Sequence, residues 1–376
     1  MPRRCIVVEL SLLLAAIMSS SAASDAGPGS ADLPGQLHQA VQEIAKEHRL
    51  PSFSVAVSQG GETVYSAAVG YADLENSVLA TPETVYPIGS ITKMVTAVAA
   101  LRLAERDELD LDVPIQEYCA AFPEKSRPIT TRQLLAHLGG VRHYDYRRFE
   151  EDFLNKKTYA SIEDALQKFS GDPLVAEPGS EFHYSSWGYV VAGCVIEGAS
   201  GLSYSDAIER DVLKPAGTVS TRLDVVKEII PHRARGYSQT DEGGWANSGC
   251  FDASDRYPAG GLVGSPEDLV RLANALLERR LLGEDSLKTM MSPQSTSSGG
   301  STGHGLGLKI AGEEAAFYHG GASVGASSYL YIRPEQHVVV AFVTNLTLWT
   351  EPRHEVARRL ADIATDVGNA STKPSP

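Results

Sequence analysis

A serine and a lysine one helical turn apart are the first residues whose types and spacing could do chemistry together. Ser90 and Lys93 form the only S-x-x-K pattern in the sequence. On a helix, residues at i and i+3 share a face, so the hydroxyl and the amine can come within hydrogen-bonding distance. Gly89 has no side chain and leaves Ser90 open to approach. About one such match is expected by chance, so the assignment depends on its surroundings.

The predicted chemistry requires an uncharged lysine. An ordinary lysine has a pKa near 10.4, and it can take the proton of a serine only if this pKa falls by about 2 to 3 units. Burial lowers the pKa of an amine, and a nearby tyrosine can share the proton. The helix N-terminus also favours an anion developing on Ser90. The alternative is that Ser90 only caps a core helix and that Lys93 extends to the surface.

The elements around this pair follow from hydrophobic patterning. The stretch from Ser90 to Leu101 is apolar on nearly every side, which predicts a central helix buried all round. Residues 37–48 have the spacing of an amphipathic helix, and the alternating runs 52–58 and 63–69 predict a hairpin. Four more strand-like runs and a final helix are expected at residues 306–310, 316–319, 327–333, 337–344 and 355–364.

Strands at both chain ends around a helical middle predict an α/β (α+β) fold. Its antiparallel sheet would be built from both ends of the chain and flanked by helices, with a mostly helical inserted domain. We expect the sheet domain to comprise residues 32–110 and 256–368, and the helical domain residues 111–255. Residues 369–376 have the composition of a flexible tail.

Charge and the N-terminal sequence bear on partners and location. The formal net charge of −14 gives no electrostatic footprint for nucleic acid, so no nucleic-acid partner is expected. Arg3 and Arg4, an apolar stretch and then small residues predict a secretory signal peptide at residues 1–23 and export to a periplasm or the medium. An organellar presequence or a short buried helix is the alternative. No stretch after it is apolar enough to span a membrane, and the sequence leaves the oligomeric state unknown.

The cysteines allow more than one arrangement. Cys5 would leave with the signal peptide, and the remaining three cannot all pair within one chain. Cys194 lies in an apolar run and is expected to be a small buried residue, while a Cys119 to Cys250 bridge is possible. No CxxC, HExxH or HxH pattern occurs, so we predict no metal and no cofactor.

Three ordered segments give the chain a specific resemblance. They are the stretch from Tyr86 to Lys93, Pro178-Gly179 leading to Tyr184-Ser185-Ser186, and His319-Gly320-Gly321. In this order they resemble the signatures of class C β-lactamases and the related penicillin-recognising DD-peptidases and serine esterases. Residues 129–137 and 258–263 also resemble segments of that family, and the similarity covers about residues 36 to 365.

The resemblance implies roles for individual residues. Tyr184 would act beside Ser90 as a base or proton shuttle, and His319 would stand where many β-lactamases have the lysine of K-T-G. Gly320 and Gly321 would let substrate lie against the strand edge. The backbone N–H groups of Ser90 and Ala322 would form the oxyanion hole, in which one donor is worth about 2.7 to 4 kcal/mol in the transition state.

Ser186 departs from the family pattern, in which the third position of Y-x-N is usually Asn. An Asn amide can donate to a substrate carbonyl and also accept from the lysine, whereas a serine hydroxyl is shorter and cannot do both across the same span. Simple esters therefore become more plausible substrates than acylamino compounds.

A second nucleophile pattern competes with Ser90. Residues 321–325 match G-x-S-x-G, the nucleophile elbow of α/β-hydrolases, with Ser323 at its centre. An elbow requires a strand, a sharp turn and a helix, but a strand-like run follows here, and His354 precedes Asp362, the reverse of the elbow order. We therefore expect Ser323 not to be the nucleophile.

The sequence predicts a serine hydrolase that forms an acyl-enzyme on Ser90 and cleaves an amide, β-lactam or ester bond of a small-molecule or peptide substrate. The alternative from another functional class is a binding or regulatory module that has kept the fold and lost turnover. Ser186 leaves this alternative open, whereas the intact Ser90, Lys93 and Tyr184 argue against it.

Overall fold

The two ends of the chain build one large antiparallel sheet. A computed structural model describes residues 32–350 and 352–371, and the large sheet has seven strands in the order β3-β2-β1-β12-β11-β10-β9. β4, β5 and β8 form a smaller sheet, and β6 pairs with β7. The strands are β1 Ser52–Gln59, β2 Glu62–Asp73, β3 Val78–Leu79, β4 Tyr86–Pro87, β5 Arg222–Leu223, β6 Tyr237–Gln239, β7 Trp245–Asn247, β8 Leu262–Gly264, β9 Lys309–Ala311, β10 Ala316–Ser323, β11 Ala326–Arg333 and β12 Val338–Thr344.

Helices cover both faces of this sheet. α1 and α12 pack on one face, while α10 packs on β1 and β12 from the other. The helices are α1 Leu33–Glu47, α2 Thr92–Glu105, α3 Thr131–Leu135, α4 Phe149–Asp152, α5 Ile162–Leu166, α6 Ser186–Ser200, α7 Tyr204–Ile208, α8 Lys214–Ala216, α9 Tyr257–Gly260, α10 Pro266–Leu277, α11 Glu284–Met291 and α12 Arg353–Ser371. The predicted fold class is therefore confirmed.

Strand β12 shows why the sheet sits in the middle of the molecule. All of its residues are buried, and they alternate between two hydrophobic clusters because successive side chains of a strand point to opposite faces. Val339, Ala341 and Val343 join the cluster that contains α2 and α6, whereas Val340 and Phe342 join the cluster under α1 and α12. The first residues of the fold are tied to the last, since Ser54 in β1 pairs with Val343.

The nucleophile region forms the predicted central helix, with one difference at its start. A 3₁₀ turn over Gly89–Ile91 precedes α2, so the α-helix begins at Thr92 and not at Ser90. Gly89 has a φ of +51°, a left-handed conformation that glycine adopts without strain. α2 is buried along almost its whole length and packs against α6 and α9.

The middle of the chain contains short helices, as expected, together with β5 and the hairpin of β6 and β7. From Asp32 onward the chain forms one compact unit, and the division into domains at residues 110/111 and 255/256 stays a prediction. The predicted signal peptide lies outside the described residues. The last helix reaches Ser371 and so enters the predicted tail, and residues 372–376 lie outside the description. Within the described ranges, no helix is both long enough and apolar enough to cross a bilayer.

The disulfide differs from the arrangement considered from sequence. Cys119 pairs with Cys194, with their Cα atoms 5.5 Å apart, and Cys250 is free and exposed. The apolar run around Cys194 is buried in α6, and this burial places Cys194 against the turn that carries Cys119. Apolar neighbours indicated burial correctly but said nothing about the partner.

Candidate active site

Ser90 and Lys93 come together at the start of α2. Lys93 Nζ lies 3.1 Å from Ser90 Oγ, and the Lys93 side chain is completely buried. The alternative in which Lys93 extends to the surface is therefore wrong. The 3₁₀ turn presents Ser90 at the N-terminal end of the helix, and Lys93 follows one turn later on the same face.

Three oxygen atoms surround the Lys93 amine. Besides Ser90 Oγ, these are Ser186 Oγ at 3.1 Å and the backbone oxygen of Ala259 at 2.7 Å. Burial and then the positive charge of Arg256 hold the pKa of Lys93 well below its ordinary value. An uncharged amine has two N–H donors and one lone pair. If the donors go to Ala259 and Ser186, the lone pair faces the Ser90 hydroxyl and can accept its proton.

Tyr184 lies in the same cluster. Its ring centre is 5.1 Å from Lys93 Nζ, 4.4 Å from the ring centre of His137 and 6.3 Å from that of His319. His143 approaches the Tyr184 ring edge-on, with a centroid distance of 5.2 Å. The structure thus brings Tyr184 to the lysine, as the resemblance implied, and its role as a proton shuttle stays a prediction.

The edge of β10 forms the other side of the site. His319, Gly320, Gly321 and Ala322 are all in this strand. A methyl group on Gly321 would overlap the Ile88 carbonyl and the Ser328 hydroxyl, and a methyl group on Gly89 would lie 2.7 Å from the Ala322 nitrogen. The backbones of the two segments therefore meet at the place where the N–H groups of Ser90 and Ala322 are predicted to bind an oxyanion.

His319 is a neutral group within this wall. It is buried, its Nδ1 lies 2.8 Å from the Gly320 oxygen, and burial followed by repulsion from Lys93 holds its pKa well below the ordinary value. An imidazole without charge can still accept or donate one hydrogen bond from each ring nitrogen, depending on its tautomer. His319 therefore cannot supply the positive charge that lysine supplies in K-T-G.

Ser186 faces inward from the first turn of α6. Ser185 caps this helix by accepting a hydrogen bond of 2.8 Å from the Gly188 N–H, and the next residue then points at Lys93. The Ser186 hydroxyl also interacts with the Tyr144 side chain. Two of the three hydrogen-bonding positions of this hydroxyl therefore face protein groups.

Several residues of the site were missed from sequence. His137 and His143 accept hydrogen bonds of 3.1 Å from the backbone N–H groups of Ser185 and Ser186, respectively, and so fix the start of α6. Burial followed by repulsion from Lys93 holds the pKa of His137 well below its ordinary value and lowers the pKa of His143 to about 3. His137 ends a segment that resembles the family. Its φ of +59° can be seen only in the folded chain, so no sequence pattern pointed to its role.

A narrow cleft opens beside Ser90. Gly260 and the Ala322–Val324 segment form one side of it, and the remaining lining is aromatic and basic, from Tyr144, Phe153, Phe251 and Arg256. Tyr144 and Arg256 had no distinguishing sequence signal, because their contacts with each other and with Trp187 join segments far apart in the chain.

The competing pattern at Ser323 does not form a nucleophile elbow. Ser323 ends β10 and is followed by a hairpin turn into β11, where an elbow would need a helix. The expectation that Ser323 is not the nucleophile is supported by this geometry. Across the part of the chain that the structure describes, no group of three or more His, Cys, Asp or Glu side chains could hold a metal ion.

Comparison with known proteins agrees with the architecture. The profile of the Beta-lactamase family matches residues 37–365. The human mitochondrial protein called serine beta-lactamase-like protein LACTB is 30% identical over an alignment of 303 residues, gaps included, that covers 63% of this chain and 55% of that protein. The chain spans about half the length of the curated relatives of this type that it matches.

Two solved structures share both fold and sequence. The octameric penicillin-binding protein homologue from Pyrococcus abyssi superposes with a TM-score of 0.74 at 28% identity, covering 89% of this chain and 77% of that one. SurE solved with D-Leu gives a TM-score of 0.71 at 27% identity over 89% of this chain and 76% of that one. With the family profile covering nearly the whole described fold, this chain belongs to the Beta-lactamase family.

Proposed function

We propose that the protein is a serine hydrolase that forms an acyl-enzyme on Ser90. The observation that carries this proposal is the Lys93 amine, which is completely buried, held by Ala259 and Ser186, and 3.1 Å from the Ser90 hydroxyl. Burying a lysine ammonium without a carboxylate partner costs free energy. A purely structural role would not account for this cost, whereas a base for Ser90 needs the uncharged amine. The inactive alternative is not favoured for the same reason.

The reaction follows from this arrangement. Lys93 takes the proton of Ser90 as Oγ attacks the substrate carbonyl, and the negative charge on the carbonyl oxygen is met by the N–H groups of Ser90 and Ala322. The proton then passes to the leaving group, with Tyr184 beside Lys93 as the shuttle. In the second half, a water molecule gives its proton to the same base as it attacks the acyl carbonyl, and the base returns this proton to Ser90 Oγ as the acyl group leaves.

Esters are the substrates that the site fits best. Ser186 stands where the family pattern has Asn, and its hydroxyl accepts from Lys93 and interacts with Tyr144. A hydroxyl has three hydrogen-bonding positions where a side-chain amide has four, so less remains to bind the amide of an acylamino substrate. The neutral His319 offers no fixed charge to a carboxylate such as that of penicillins or peptides.

A fluorophosphonate probe tests the nucleophile. We expect covalent labelling of the wild-type protein, loss of labelling in Ser90→Ala, and unchanged labelling in Ser323→Ala. Equal labelling of wild type and Ser90→Ala would reject the assignment, and loss only in Ser323→Ala would establish the competing pattern.

Turnover of three compounds tests the substrate class. A short-chain aryl ester, a D-Ala-D-Ala peptide and a β-lactam are each compared with the Ser90→Ala background. We expect the ester to have the highest kcat/KM. A β-lactam or peptide turned over faster than the ester would show that Ser186 does not limit amide recognition.

We also propose export, with cleavage of the predicted signal peptide. The disulfide between Cys119 and Cys194 supports an oxidising compartment, since such bonds are rare where thiols are kept reduced. N-terminal sequencing of the protein from its native cells distinguishes a mature chain that starts near residue 24 from an organellar product or an uncleaved chain.

A further inference from the structure

A fully buried positive charge lies beside the candidate active site. Arg256 precedes α9 and is only 4% exposed, although it lines the cleft next to Ser90. Its guanidinium lies 4.5 Å from the ring centre of Tyr144 and 4.9 Å from that of Phe251. A charge in this environment has lost its hydration, so its field is screened much less than that of a surface arginine.

The charges around Arg256 do not cancel. Asp255 accepts hydrogen bonds from Arg256 Nε at 2.6 Å and from Nη2 at 2.9 Å, and Lys168 Nζ lies 2.6 Å from the same carboxylate. Asp152 contributes its backbone oxygen to Arg256 Nη2 at 2.8 Å, while its carboxylate pairs with Arg142. Two cations therefore share the single carboxylate of Asp255. Arg142 pairs in addition with Asp172, whose side chain is 41% exposed, so the carboxylate that balances the cluster is the one most screened by solvent, and the buried groups keep one extra cation.

Side-chain contacts connect this cluster to the amine. The Arg256 guanidinium stacks on the Tyr144 ring, Tyr144 interacts with Ser186, and Ser186 Oγ is 3.1 Å from Lys93 Nζ. Ala259, whose oxygen accepts from Lys93, follows Arg256 in the same short segment. The position of the amine and the position of the guanidinium are thus fixed by one set of contacts.

Two tyrosines and three histidines surround Lys93, and the histidines are uncharged at neutral pH. The rings of Tyr184 and Tyr189 lie 5.1 and 5.5 Å from its Nζ. Repulsion between Lys93 and its neighbours contributes to the lowered pKa of three buried imidazoles, which belong to His137, His143 and His319. Among the described residues, Arg256 is thus the permanent charge that opposes a proton on Lys93.

We propose that Arg256, held by Asp255 and Tyr144, is a positioning residue whose buried charge keeps Lys93 in the uncharged form that the reaction requires. The inference rests on the proposed function, because an uncharged Lys93 matters only if it is the base for Ser90. Arg256 does not itself touch the reacting atoms. With Arg256 in place, Lys93 stays uncharged to a lower pH than its burial alone would allow. The active site therefore stays competent to that lower pH.

The pH dependence of the labelling rate tests this role. Arg256→Gln removes the charge, and the midpoint of the acidic limb of fluorophosphonate labelling should rise by about one pH unit, as expected for a unit charge within roughly 10 Å at an effective dielectric constant near 20. Arg256→Lys keeps the charge and should keep the wild-type midpoint. A uniform fall in rate at every pH, with an unchanged midpoint, would overturn the proposal, because a structural role alone gives that result.

Two further variants test the proposal if the Arg256→Gln protein does not fold. Lys168→Gln removes the second cation from Asp255 and should raise the midpoint by a smaller amount. Asp255→Asn removes the negative charge and should move the midpoint in the opposite direction, to lower pH. Shifts in the same direction for both would contradict an electrostatic origin.

A readout that does not require activity separates this proposal from the proposed function. Titration of Lys93 by NMR, in protein labelled at the lysine Cε, reports the amine directly in wild type and in each variant. If the wild-type protein is not labelled by the probe, the proposed function fails, and the NMR midpoints still decide the role of Arg256. If labelling depends on Ser90 and the NMR midpoint of Lys93 is the same in wild type and Arg256→Gln, only the present inference fails.

Discussion

The two sides of the site are held in different ways. On the helix side, Lys93 and Ser186 are fixed by side-chain hydrogen bonds among buried polar groups. On the strand side, Gly321 and Ala322 contribute backbone, and close approach depends on the absence of a side chain. The helix side should therefore respond mainly to changes of charge, and the strand side mainly to changes of volume.

The largest effect is expected on the helix side from Lys93→Met. Methionine is apolar and of similar length, so it fills the buried site but cannot take the serine proton. General base catalysis is worth about 10² to 10⁴ in rate, and we expect a fall in fluorophosphonate labelling of that size, without a lower thermal midpoint. A labelling rate within tenfold of wild type would show that Lys93 is not the base.

On the strand side, Gly321→Ala should reduce labelling by about 10² to 10³, because displacement of the strand removes an oxyanion donor. The new methyl group meets backbone at Ile88 and the Ser328 hydroxyl, which cannot both move away. Gly320→Ala is the comparison on the same strand, since the nearest neighbours of its methyl group would be side-chain atoms, Arg353 Nη2 at 3.0 Å and Tyr329 Cδ2 at 3.3 Å. We expect a loss of less than tenfold in labelling rate for Gly320→Ala. Equal losses for the two variants would show that the clash of the methyl group at residue 321 is not the cause.

The smallest effect concerns stability and pH. His143 has a pKa of about 3 in the folded protein against about 6.5 for an ordinary histidine. Between these values the unfolded chain binds a proton that the folded chain does not, so stability falls as the pH is lowered through this window. His143→Gln should therefore lose less stability than wild type between pH 7.5 and pH 5, by up to about 2 kcal/mol.

Urea unfolding at the two pH values measures this difference. Gly320→Ala, on the strand side, should keep the wild-type pH dependence. If His143→Gln retains the full wild-type loss, the histidine is not held neutral in the folded protein, and the distinction between the two sides is weaker than the contacts indicate.

The success of sequence reasoning depended on how local each signal was. Ser90 and Lys93 are related by one helical turn. The runs of β1 and β2 alternate, and those of β11 and β12 are rich in aromatic and β-branched residues, so these features could be predicted. The start of α2 was placed two residues early, because the 3₁₀ turn depends on Gly89 meeting Ala322.

Contacts between residues far apart in the chain could not be predicted from local sequence patterns. Cys194 was expected to be an unpaired buried residue, and its bond to Cys119 depends on how α6 packs. Arg256 follows an acidic neighbour in a polar stretch, where arginine is normally exposed, and its burial depends on Tyr144 and Phe251 covering it. Only the assembled fold shows such a group as part of the site.

The pairing of β1 with β12 has a consequence for biosynthesis. A ribosome releases Ser90 well before β10, which carries Ala322, and before β11 and β12, which connect β10 to β1. Contacts between such distant segments form slowly because a long loop must close first. A nascent chain, or one truncated before β10, should therefore carry the nucleophile without the Ala322 donor, and hydrolytic competence should arise only once β10 to β12 have been made.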